Sequence, residues 1–383
     1  MARLKTIVIS AINITDSGPL SILKQVEKSL KFYNKYKVIY LLNNKELLKL
    51  NNNEEAKTFP YAKKSWLLRI FYEWIYFYFL SKKIKPDVWF SLHDISPFVI
   101  SKKKFVYCHN PSIFLKIKLI NFLDYKLLLF KYFYKYLYRL NINSNDSVIV
   151  QQEWIKKYFK QHICPKSQIE IIRPNENKER LSNKFIYSLQ KKITQKNKIN
   201  VLYPTTARTF KNIELIINAS KDSEINKRFI FNITISGNEN LYARFIRLRA
   251  SKFSNIKLIG YKKNINQYYR KADVVITTSL LETWSLPLSE AVFFKKIIMA
   301  PNLPYAIENL DSYRLATFFN ISNENDFKEI GEILHSIVQV CVLNQKKYGT
   351  NINDFMEGVQ NDPEIYHIKE SVYQLTSSFS IPS

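Results

Sequence analysis

Short apolar runs alternate with segments of helical length along the chain, and this alternation occurs twice. Continuous apolar strands separated by helices are typical of a parallel sheet that is buried on both faces. The candidate strands of the first half are residues 6–11, 37–42, 87–92, 104–108 and 147–151. Those of the second half are residues 200–203, 232–236, 256–259, 274–277, 297–300 and 317–319. The sequence therefore predicts an α/β fold with two Rossmann-like, doubly wound domains.

The length of the chain agrees with two domains. A single hydrophobic core stops growing at about 250–300 residues, and this chain has 383. We predict a first domain over residues 1–173 and a second over residues 199–363. Between them, residues 174–198 are polar and rich in Lys and Asn, which favours a linker that is part helix.

The chain is strongly basic, with 58 Lys and Arg residues, 32 Asp and Glu residues and a net charge of +26. A basic surface attracts polyanions and anionic lipid headgroups. Part of the excess is compositional, because plentiful Lys, Asn, Ile, Tyr and Phe with only six Gly is typical of an AT-rich genome. The sequence has no zinc-finger spacing, heptad-linked basic region or RNA-binding sheet motif. We therefore predict no nucleic-acid partner.

Cysteine usage indicates a reducing compartment. Cys108, Cys164 and Cys341 are far apart and odd in number, which argues against a disulfide framework. The apolar run at residues 6–11 is too short for the core of a signal peptide. We expect a cytoplasmic protein, either free or peripheral on the inner face of the cell membrane.

Two aromatic segments are candidates for membrane contact. Residues 66–80 are apolar for about four turns, but Arg69 and Glu73 interrupt them, and a span needs about 20 apolar residues. Residues 113–139 mix six Lys and Arg with many Tyr, Phe and Leu, as an interfacial helix does. The alternative for both segments is a helix packed on the sheet. The sequence leaves both readings open.

Residues 274–291 are the most informative stretch of the sequence. They predict a buried strand, a polar loop and a helix in which Ser285 caps the start and Pro287 occupies the first turn. A helix start at the carboxyl edge of a sheet offers free N–H groups to a diphosphate. Two carboxylates flank this helix start, Glu282 on the loop and Glu290 in the helix.

Glu282 and Glu290 are separated by seven residues, with Leu-Pro between them and Ala291 directly after the second. This arrangement resembles the E-x7-E motif of retaining glycosyltransferases of family 4 (group 1). The resemblance implies the GT-B fold, in which two Rossmann-like domains face each other across a cleft. It also implies that Glu282 lies by the transferred sugar and that Glu290 binds the donor ribose. A final helix at residues 364–383 would cross back to the first domain.

The loop after the first strand of the second half resembles the basic loop of the same family. Arg208 and Lys211 would there neutralise the charge that develops on the leaving nucleotide. Their separation is shorter than in many relatives. The alternative is a pair of surface cations in a chain rich in Lys.

Further site residues follow from strand ends and from the same resemblance. Gly18 would let the backbone after the first strand approach a ligand, although relatives carry two glycines there. His109 matches a family histidine that contacts the transferred sugar, while His93 is either a second cleft residue or a structural histidine. The remaining predicted donor contacts are Gly260, Tyr261, Ser285 and Leu286, and residues 302–305 with Glu308 are also family-like.

The sequence predicts no catalytic metal and no cofactor. It has no Asp-x-Asp pair, and its five histidines form no metal-ligand spacing. The diphosphate charge would then be met by Arg208, Lys211 and the helix start.

The sequence as a whole predicts a retaining glycosyltransferase (EC 2.4). It would transfer a sugar from a nucleotide diphosphate sugar to a glycan or lipid-linked acceptor, in bacterial surface polysaccharide synthesis. The alternatives are a nucleotide-sugar epimerase of the same fold and a non-catalytic partner that binds nucleotide sugar or membrane.

Overall fold

The structure, a computed structural model, describes residues 4–31, 36–174, 181–194 and 196–321. Cys341 and the helix predicted at residues 364–383 lie outside these ranges. In the described ranges the predicted α/β fold is confirmed, with one parallel sheet in each half of the chain.

The first sheet has seven strands in the order β3-β2-β1-β4-β5-β6-β7. They are β1 (Lys5–Ala11), β2 (Tyr36–Leu42), β3 (Glu54–Thr58), β4 (Val88–Ser91), β5 (Lys103–Tyr107), β6 (Ser147–Val150) and β7 (Gln168–Ile171). The edge strands β3 and β7 are absent from the sequence prediction, because they are short and rich in charged or polar residues. An edge strand has one paired side only, so it lacks the apolar run that identifies a central strand.

Helices cover both faces of the first sheet. They are α1 (Ser17–Lys31), α2 (Trp66–Phe71), α3 (Phe77–Ile84), α4 (Tyr125–Arg139) and α5 (Glu153–His162). A π-helical turn, Tyr72–Tyr76, joins α2 to α3, and a 3₁₀ segment, Leu119–Asp124, precedes α4. Helix α4 packs on the sheet through the buried Tyr134 and Tyr138, while other side chains of the helix are exposed. Its buried Leu127 packs instead with Leu115 and Leu281.

The second sheet has six strands in the order β10-β9-β8-β11-β12-β13. They are β8 (Ile199–Tyr203), β9 (Phe229–Ile233), β10 (Ile256–Leu258), β11 (Val274–Ile276), β12 (Ile297–Pro301) and β13 (Ala316–Phe319). All six correspond to strands that the sequence predicts. Their side chains form one continuous core with the surrounding helices.

The helices of the second half are α6 (Asn183–Thr194), α7 (Glu214–Ala219), α8 (Ser223–Arg228), α9 (Leu241–Ala250), α10 (Asn266–Lys271), α11 (Leu286–Phe293) and α12 (Pro304–Asn309). Helix α6 lies within the predicted linker. It packs on the second core, where Ile193 is fully buried and Phe185 and Leu189 are partly buried. The helical part of the linker is therefore joined to the second domain.

Candidate functional site

The predicted site residues follow strands at the points where the strand order reverses. In the second sheet the chain winds outward from β8 to β10 and then restarts at β11, on the other side of β8. The first sheet reverses in the same way between β1 and β4. Ligands bind open parallel sheets at such reversals, outside the carboxyl ends of the strands. Topology alone therefore puts the loops of Gly18, Arg208 and Glu282 at ligand-binding positions.

Lys211 and Glu282 form an ion pair between the loops that follow β8 and β11. Their side chains are only 13% and 15% exposed, so the pair is shielded from water. The backbone below the lysine is fixed, because Tyr203 Oη donates to its carbonyl at 2.6 Å and Thr278 Oγ1 donates to the same oxygen at 2.9 Å. The structure thus joins two residues that the sequence singled out separately.

Arg208 lies in the same loop but pairs with a different carboxylate. Its Nη1 donates to both oxygens of Asp124 at 3.0 and 3.1 Å, and Asp124 belongs to the first domain. Beside this pair, Asn121 Nδ2 donates to Thr209 Oγ1 at 2.8 Å. The first domain therefore holds the basic loop through the segment Leu119–Asp124. Sequence reasoning missed Asn121 and Asp124, since nothing local marks them as partners of a loop more than 80 residues away.

The start of helix α11 differs from the expected cap. Ser285 has a left-handed backbone with φ of 68°, and its side chain makes no capping hydrogen bond. The prediction that its hydroxyl caps the helix is therefore wrong, because a capping residue adopts extended backbone angles. The chain turns sharply at this point and is held by Asn309, whose Nδ2 donates to the Ser285 carbonyl at 3.2 Å. Pro287 does occupy the first turn, as predicted.

Gly18 of the first domain packs against the start of helix α11. A methyl group added at Gly18 would lie 3.3 Å from Leu286 Cδ1. A second contact joins the same regions, because Thr283 Oγ1 donates to the His109 carbonyl at 2.9 Å. Gly18, His109 and Leu286, which the sequence predicted from separate motifs, therefore meet at the boundary between the domains.

Glu290 lies one turn into helix α11 and is partly buried. Burial raises the pKa of its carboxyl above the ordinary value, and a hydrogen bond with Tyr269 offsets part of this rise. Tyr269 is itself fixed by stacking on Phe294, with ring centroids 5.2 Å apart. The carboxylate is thus held rigidly beside the helix start.

Asp94 organises the turn that carries His109. Its Oδ1 accepts from the backbone N–H of His109 at 2.6 Å, that of Asn110 at 3.0 Å and Tyr138 Oη at 2.8 Å. The imidazole Nδ1 of His109 lies 3.7 Å from the same oxygen, and its side chain is 15% exposed. Sequence reasoning considered the neighbouring His93 instead, although a carboxylate at the end of a buried strand was a usable signal.

His93 is structural and does not reach the boundary between the domains. It is fully buried, and Arg69 Nη2 lies 3.4 Å from its Nδ1 while Ser10 Oγ lies 3.0 Å from its Nε2. Glu73 Oε1 lies 3.5 Å from the same Nδ1, so His93, Arg69 and Glu73 form one buried polar cluster. Burial first, and then the Arg69 charge, hold the pKa of His93 well below 6.5. Of the two sequence interpretations of His93, the structural one is correct.

The loop after β9 lies next to the basic loop, and the loop after β10 lies next to the loop after β9. Gly260 has φ of 70° and donates its N–H to the Ile235 carbonyl at 3.0 Å, while the Tyr261 side chain is 81% exposed. Asn240 Nδ2 donates to the Ala207 carbonyl at 2.6 Å and so ties the loop after β9 to the segment of Arg208. Sequence reasoning did not single out this loop, although Gly237, with φ of 86°, is one of only six glycines.

The family-like residues Tyr305 and Glu308 lie in helix α12 and join the two domains. Glu308 accepts from the Arg173 guanidinium at 2.8 Å and from the Glu153 N–H at 3.0 Å. The Tyr305 carbonyl accepts from Gln152 Nε2 at 2.9 Å. Tyr305 Oη also donates to the Ser279 carbonyl, in the loop after β11, at 2.7 Å.

Two further findings concern the described ranges as a whole. No group of three His, Cys, Asp or Glu side chains within them is arranged to hold a metal ion. None of the helices that the structure describes has both the length and the apolar character needed to cross a bilayer.

Comparison with known proteins agrees with the fold and with the second domain. The family model described as glycosyl transferases group 1 matches residues 186–329, which confirms the resemblance to group 1 enzymes over that part of the chain. One curated relative, serine hydroxymethyltransferase 5 of Arabidopsis thaliana, is 41% identical over 59 residues. That match covers 15% of this chain and 13% of the relative.

Three solved structures similar to this chain match it over almost its whole length. Sucrose-phosphate synthase from Thermosynechococcus elongatus has a TM-score of 0.64 at 13% identity. HepE from Anabaena, in complex with UDP-glucose, has a TM-score of 0.60 at 14% identity. WaaG, a glycosyltransferase involved in lipopolysaccharide biosynthesis, has a TM-score of 0.60 at 13% identity. Each similarity covers 98% of this chain and 100% of the other, and at such identities it establishes the fold, which is GT-B.

Proposed function

We propose that this chain, a GT-B protein whose residues 186–329 match group 1 glycosyl transferases, transfers a sugar from a nucleoside diphosphate to an acceptor hydroxyl. One observation carries the proposal. The Lys211–Glu282 pair and the start of helix α11 belong to the second domain, and they adjoin the contacts of Leu286 and Thr283 with Gly18 and His109 of the first. A transferase needs this meeting of two loops, because donor and acceptor approach from opposite domains.

The donor diphosphate is assigned to the second domain. Lys211, Arg208 and the free N–H groups at the start of helix α11 supply positive charge where the leaving group becomes more negative. A fixed cation shielded from water stabilises such charge more strongly than an exposed one. Glu290, held beside the helix start, is assigned to the ribose hydroxyls. HepE is similar in fold and binds UDP-glucose, which supports a nucleotide sugar as the donor.

The reaction is assigned a front-face course with retention. The acceptor oxygen bonds to the anomeric carbon on the face that the diphosphate leaves, and the diphosphate takes the electron pair of the broken C–O bond. Its phosphate oxygen then accepts the proton of the acceptor hydroxyl. Glu282 lies beside the transferred sugar, and the His109 turn contacts the sugar from the first domain. This chemistry uses charge already present in Arg208 and Lys211, so we propose that transfer requires no metal ion.

The acceptor is proposed to be a glycan or lipid-linked glycan of a bacterial surface polysaccharide. WaaG, which is similar in fold, is a glycosyltransferase involved in lipopolysaccharide biosynthesis. The basic, aromatic surface of the first domain also favours an acceptor at the inner face of a membrane, where anionic headgroups attract positive charge.

A thermal-shift screen tests the donor site first. Purified protein is heated with UDP, GDP, ADP, CMP and their common sugars, because a ligand that binds only the folded state raises the melting temperature. We expect one nucleoside diphosphate to stabilise the wild type and to lose this effect in Glu290→Ala and Lys211→Ala. Lys252→Ala, an exposed lysine of the same domain, is the matched control and should keep the shift.

A transfer assay with the selected donor then separates the proposed function from its rivals. Sugar transfer that continues in EDTA and gives a product with the donor's anomeric configuration supports the proposal. Conversion of the donor without any acceptor identifies an epimerase instead. If no nucleotide shifts the melting temperature, the chain is a non-catalytic partner and the proposal is wrong.

A further inference from the structure

The continuous helical segment of α2, the π-helical turn and α3 buries polar side chains and exposes apolar ones. Every fourth residue on the inner face is buried, and on the outer face every fourth residue is exposed. The inner residues are Arg69, Glu73, Phe77 and Ser81, which are 4%, 0%, 0% and 0% exposed. The outer residues are Leu67, Phe71, Ile75 and Phe79, which are 80%, 45%, 51% and 63% exposed. A helix of a water-exposed domain normally has the opposite arrangement.

The 3₁₀ segment Leu119–Asp124 and helix α4 present a second exposed apolar row. Its members recur at helical spacing and are mostly aromatic. They are Leu119, Phe122, Tyr125, Leu129, Tyr132, Phe133 and Tyr136, and each is at least half exposed. Trp66 joins the two rows, because its ring packs on Phe130 and Tyr134 with centroids 5.4 and 5.9 Å apart. We call the two rows together the aromatic surface.

The aromatic surface is bordered mainly by lysines. Residues 61–86 and 111–145 contain two acidic side chains, Glu73 and Asp124. Glu73 is buried against Arg69, and Asp124 is buried against Arg208. Exposed lysines within the same ranges are Lys63, Lys64, Lys82, Lys83, Lys85, Lys116 and Lys118. Asp16, an exposed carboxylate outside these ranges, pairs with Lys63 at 2.8 Å, so the exposed charge of this surface is predominantly positive.

We infer that the aromatic surface docks on a bilayer containing anionic lipids. Exposed Phe and Leu side chains are stabilised by entering the acyl boundary, and Tyr and Trp rings prefer the headgroup level. A lysine has a long apolar stem and a terminal charge, so the stem lies along the boundary and the ammonium group contacts lipid phosphates. A contiguous apolar patch of this kind marks an interaction site. Its predominantly positive border fits an anionic membrane.

The position of the surface connects it to the proposed function. Leu119 and Phe122 point to solvent, while Asn121 and Asp124 of the same short segment hold Thr209 and Arg208. Docking therefore places the basic donor loop next to the headgroups. This consequence rests on the proposed function, since only a transferase with a lipid-linked acceptor would use it. The docking itself does not depend on it.

A cavity of about 760 Å³ adjoins the far end of the same helical segment. It is lined by Tyr76, Phe79, Leu80 and Lys83 on the helix side, and by Lys37, Glu55 and Lys57 on the opposite side. Glu55 pairs with Lys37 at 2.7 Å. Apolar walls with Lys57 and Lys83 nearby suit an acyl chain and its phosphate. The cavity therefore extends the docking surface to the edge of the sheet.

Vesicle flotation tests the inference without donor or acceptor, so its failure is separate from a failure of the proposed function. The full chain is mixed with phosphatidylcholine vesicles that contain either no phosphatidylglycerol or about one third. We expect binding to the anionic vesicles only, and a marked loss at high salt. The double variant Phe71→Ser/Phe79→Ser should reduce binding at least about tenfold, since two apolar anchors are lost. The double variant Lys82→Glu/Lys83→Glu should also reduce binding to the anionic vesicles.

The control variant is Leu248→Ser, a side chain of the second domain that is 71% exposed. It should bind anionic vesicles as the wild type does. Equal binding by Phe71→Ser/Phe79→Ser and the wild type would overturn the inference. So would a dimer in gel filtration that the same double variant abolishes, because the surface would then bind a second copy of the chain. Melting temperatures of all variants verify that each is folded.

Discussion

At the scale of single residues, two glutamates of the second domain have opposite ionisation energetics. Burial raises the pKa of Glu290, and a hydrogen bond with Tyr269 offsets only part of this rise. Burial alone would also raise the pKa of Glu239, but N–H groups of Ser236 and Gly237 donate to its carboxylate and hold the pKa below 4.5. Ionised Glu290 therefore destabilises the fold, whereas ionised Glu239 stabilises it.

We expect Glu290→Gln to raise the melting temperature of the protein at neutral pH without any ligand. Because the pKa of Glu290 is raised in the folded protein, its contribution to stability is present below pH 4.5 and is lost as the pH rises through the folded pKa. Ionised Glu290 therefore lowers the free energy of unfolding at neutral pH. The neutral amide removes this cost, which should raise the melting temperature by about 2 °C. Calorimetry at about pH 7.5 measures the effect, and donor binding should weaken in the same variant.

Glu239→Gln is the matched control, because its folded pKa is lowered. Its contribution is present above pH 4.5 and disappears as the pH falls through the folded value. The substitution should therefore lower the melting temperature at neutral pH and matter little near pH 3. If both substitutions change the melting temperature in the same direction, the proposed difference between the two carboxylates is wrong.

At the scale of elements, the turn after β5 depends on a carboxylate from the loop after β4. Asp94 has a left-handed φ of 73°, which directs its side chain across the sheet edge to His109 and Asn110. Hydrogen bonds to a charged acceptor contribute about 1.5–3 kcal/mol each. The His109 turn is therefore rigid because of a residue 15 positions earlier in the chain.

We expect Asp94→Asn to lower the transfer rate by about tenfold and to destabilise the first domain by about 1–2 kcal/mol. Asparagine tolerates the left-handed backbone, so the loss reports the charge of the acceptor and not strain. Asp94→Ala should be worse, because three donors lose their acceptor. Urea unfolding measures the loss of stability, and the kcat for sugar transfer measures the loss of rate. If Asp94→Asn has the kcat of the wild type, the His109 turn is not part of the site.

The helical segment from Trp66 to Ile84 shows why the sequence does not identify which face of a helix is buried. Both of its four-residue rows contain aromatic residues, so hydrophobic pattern alone does not identify the inner row. The π-helical turn adds to this, because it changes the period from 3.6 toward 4 residues. In the structure the row with Arg69 and Glu73 is buried, because Arg69 contacts both Glu73 and His93.

At the scale of the whole molecule, the domains are joined by contacts beside the proposed site. Asp124 with Arg208, Thr283 with His109 and Glu308 with Arg173 link the first domain to two loops and to helix α12 of the second. Gly18 adds a close approach without a side chain. The relative position of donor and acceptor therefore depends on these few pairs.

We expect Gly18→Val to lower kcat for transfer, because its side chain would collide with Leu286 and hold the domains apart. Leu286→Ala in the same chain should restore part of the rate by removing Cδ1. Ser29→Val, an exposed position of the same helix, controls for the effect of a β-branched valine in helix α1. Steady-state kinetics on the four proteins decides the point. No recovery in the double variant would mean that the Gly18 loop acts by another route.

The sequence by itself determined the α/β class, the central strands and the order of the site motifs. These depend on local patterns, namely apolar runs buried on both faces and a strand, loop and helix around Glu282. Only the tertiary structure decided that His93 is buried and that Asp94 fixes the His109 turn. It also decided that Arg208 meets Asp124, while Lys211 meets Glu282. Such pairings join residues 15 to 84 positions apart, and local patterns do not specify contacts across that distance.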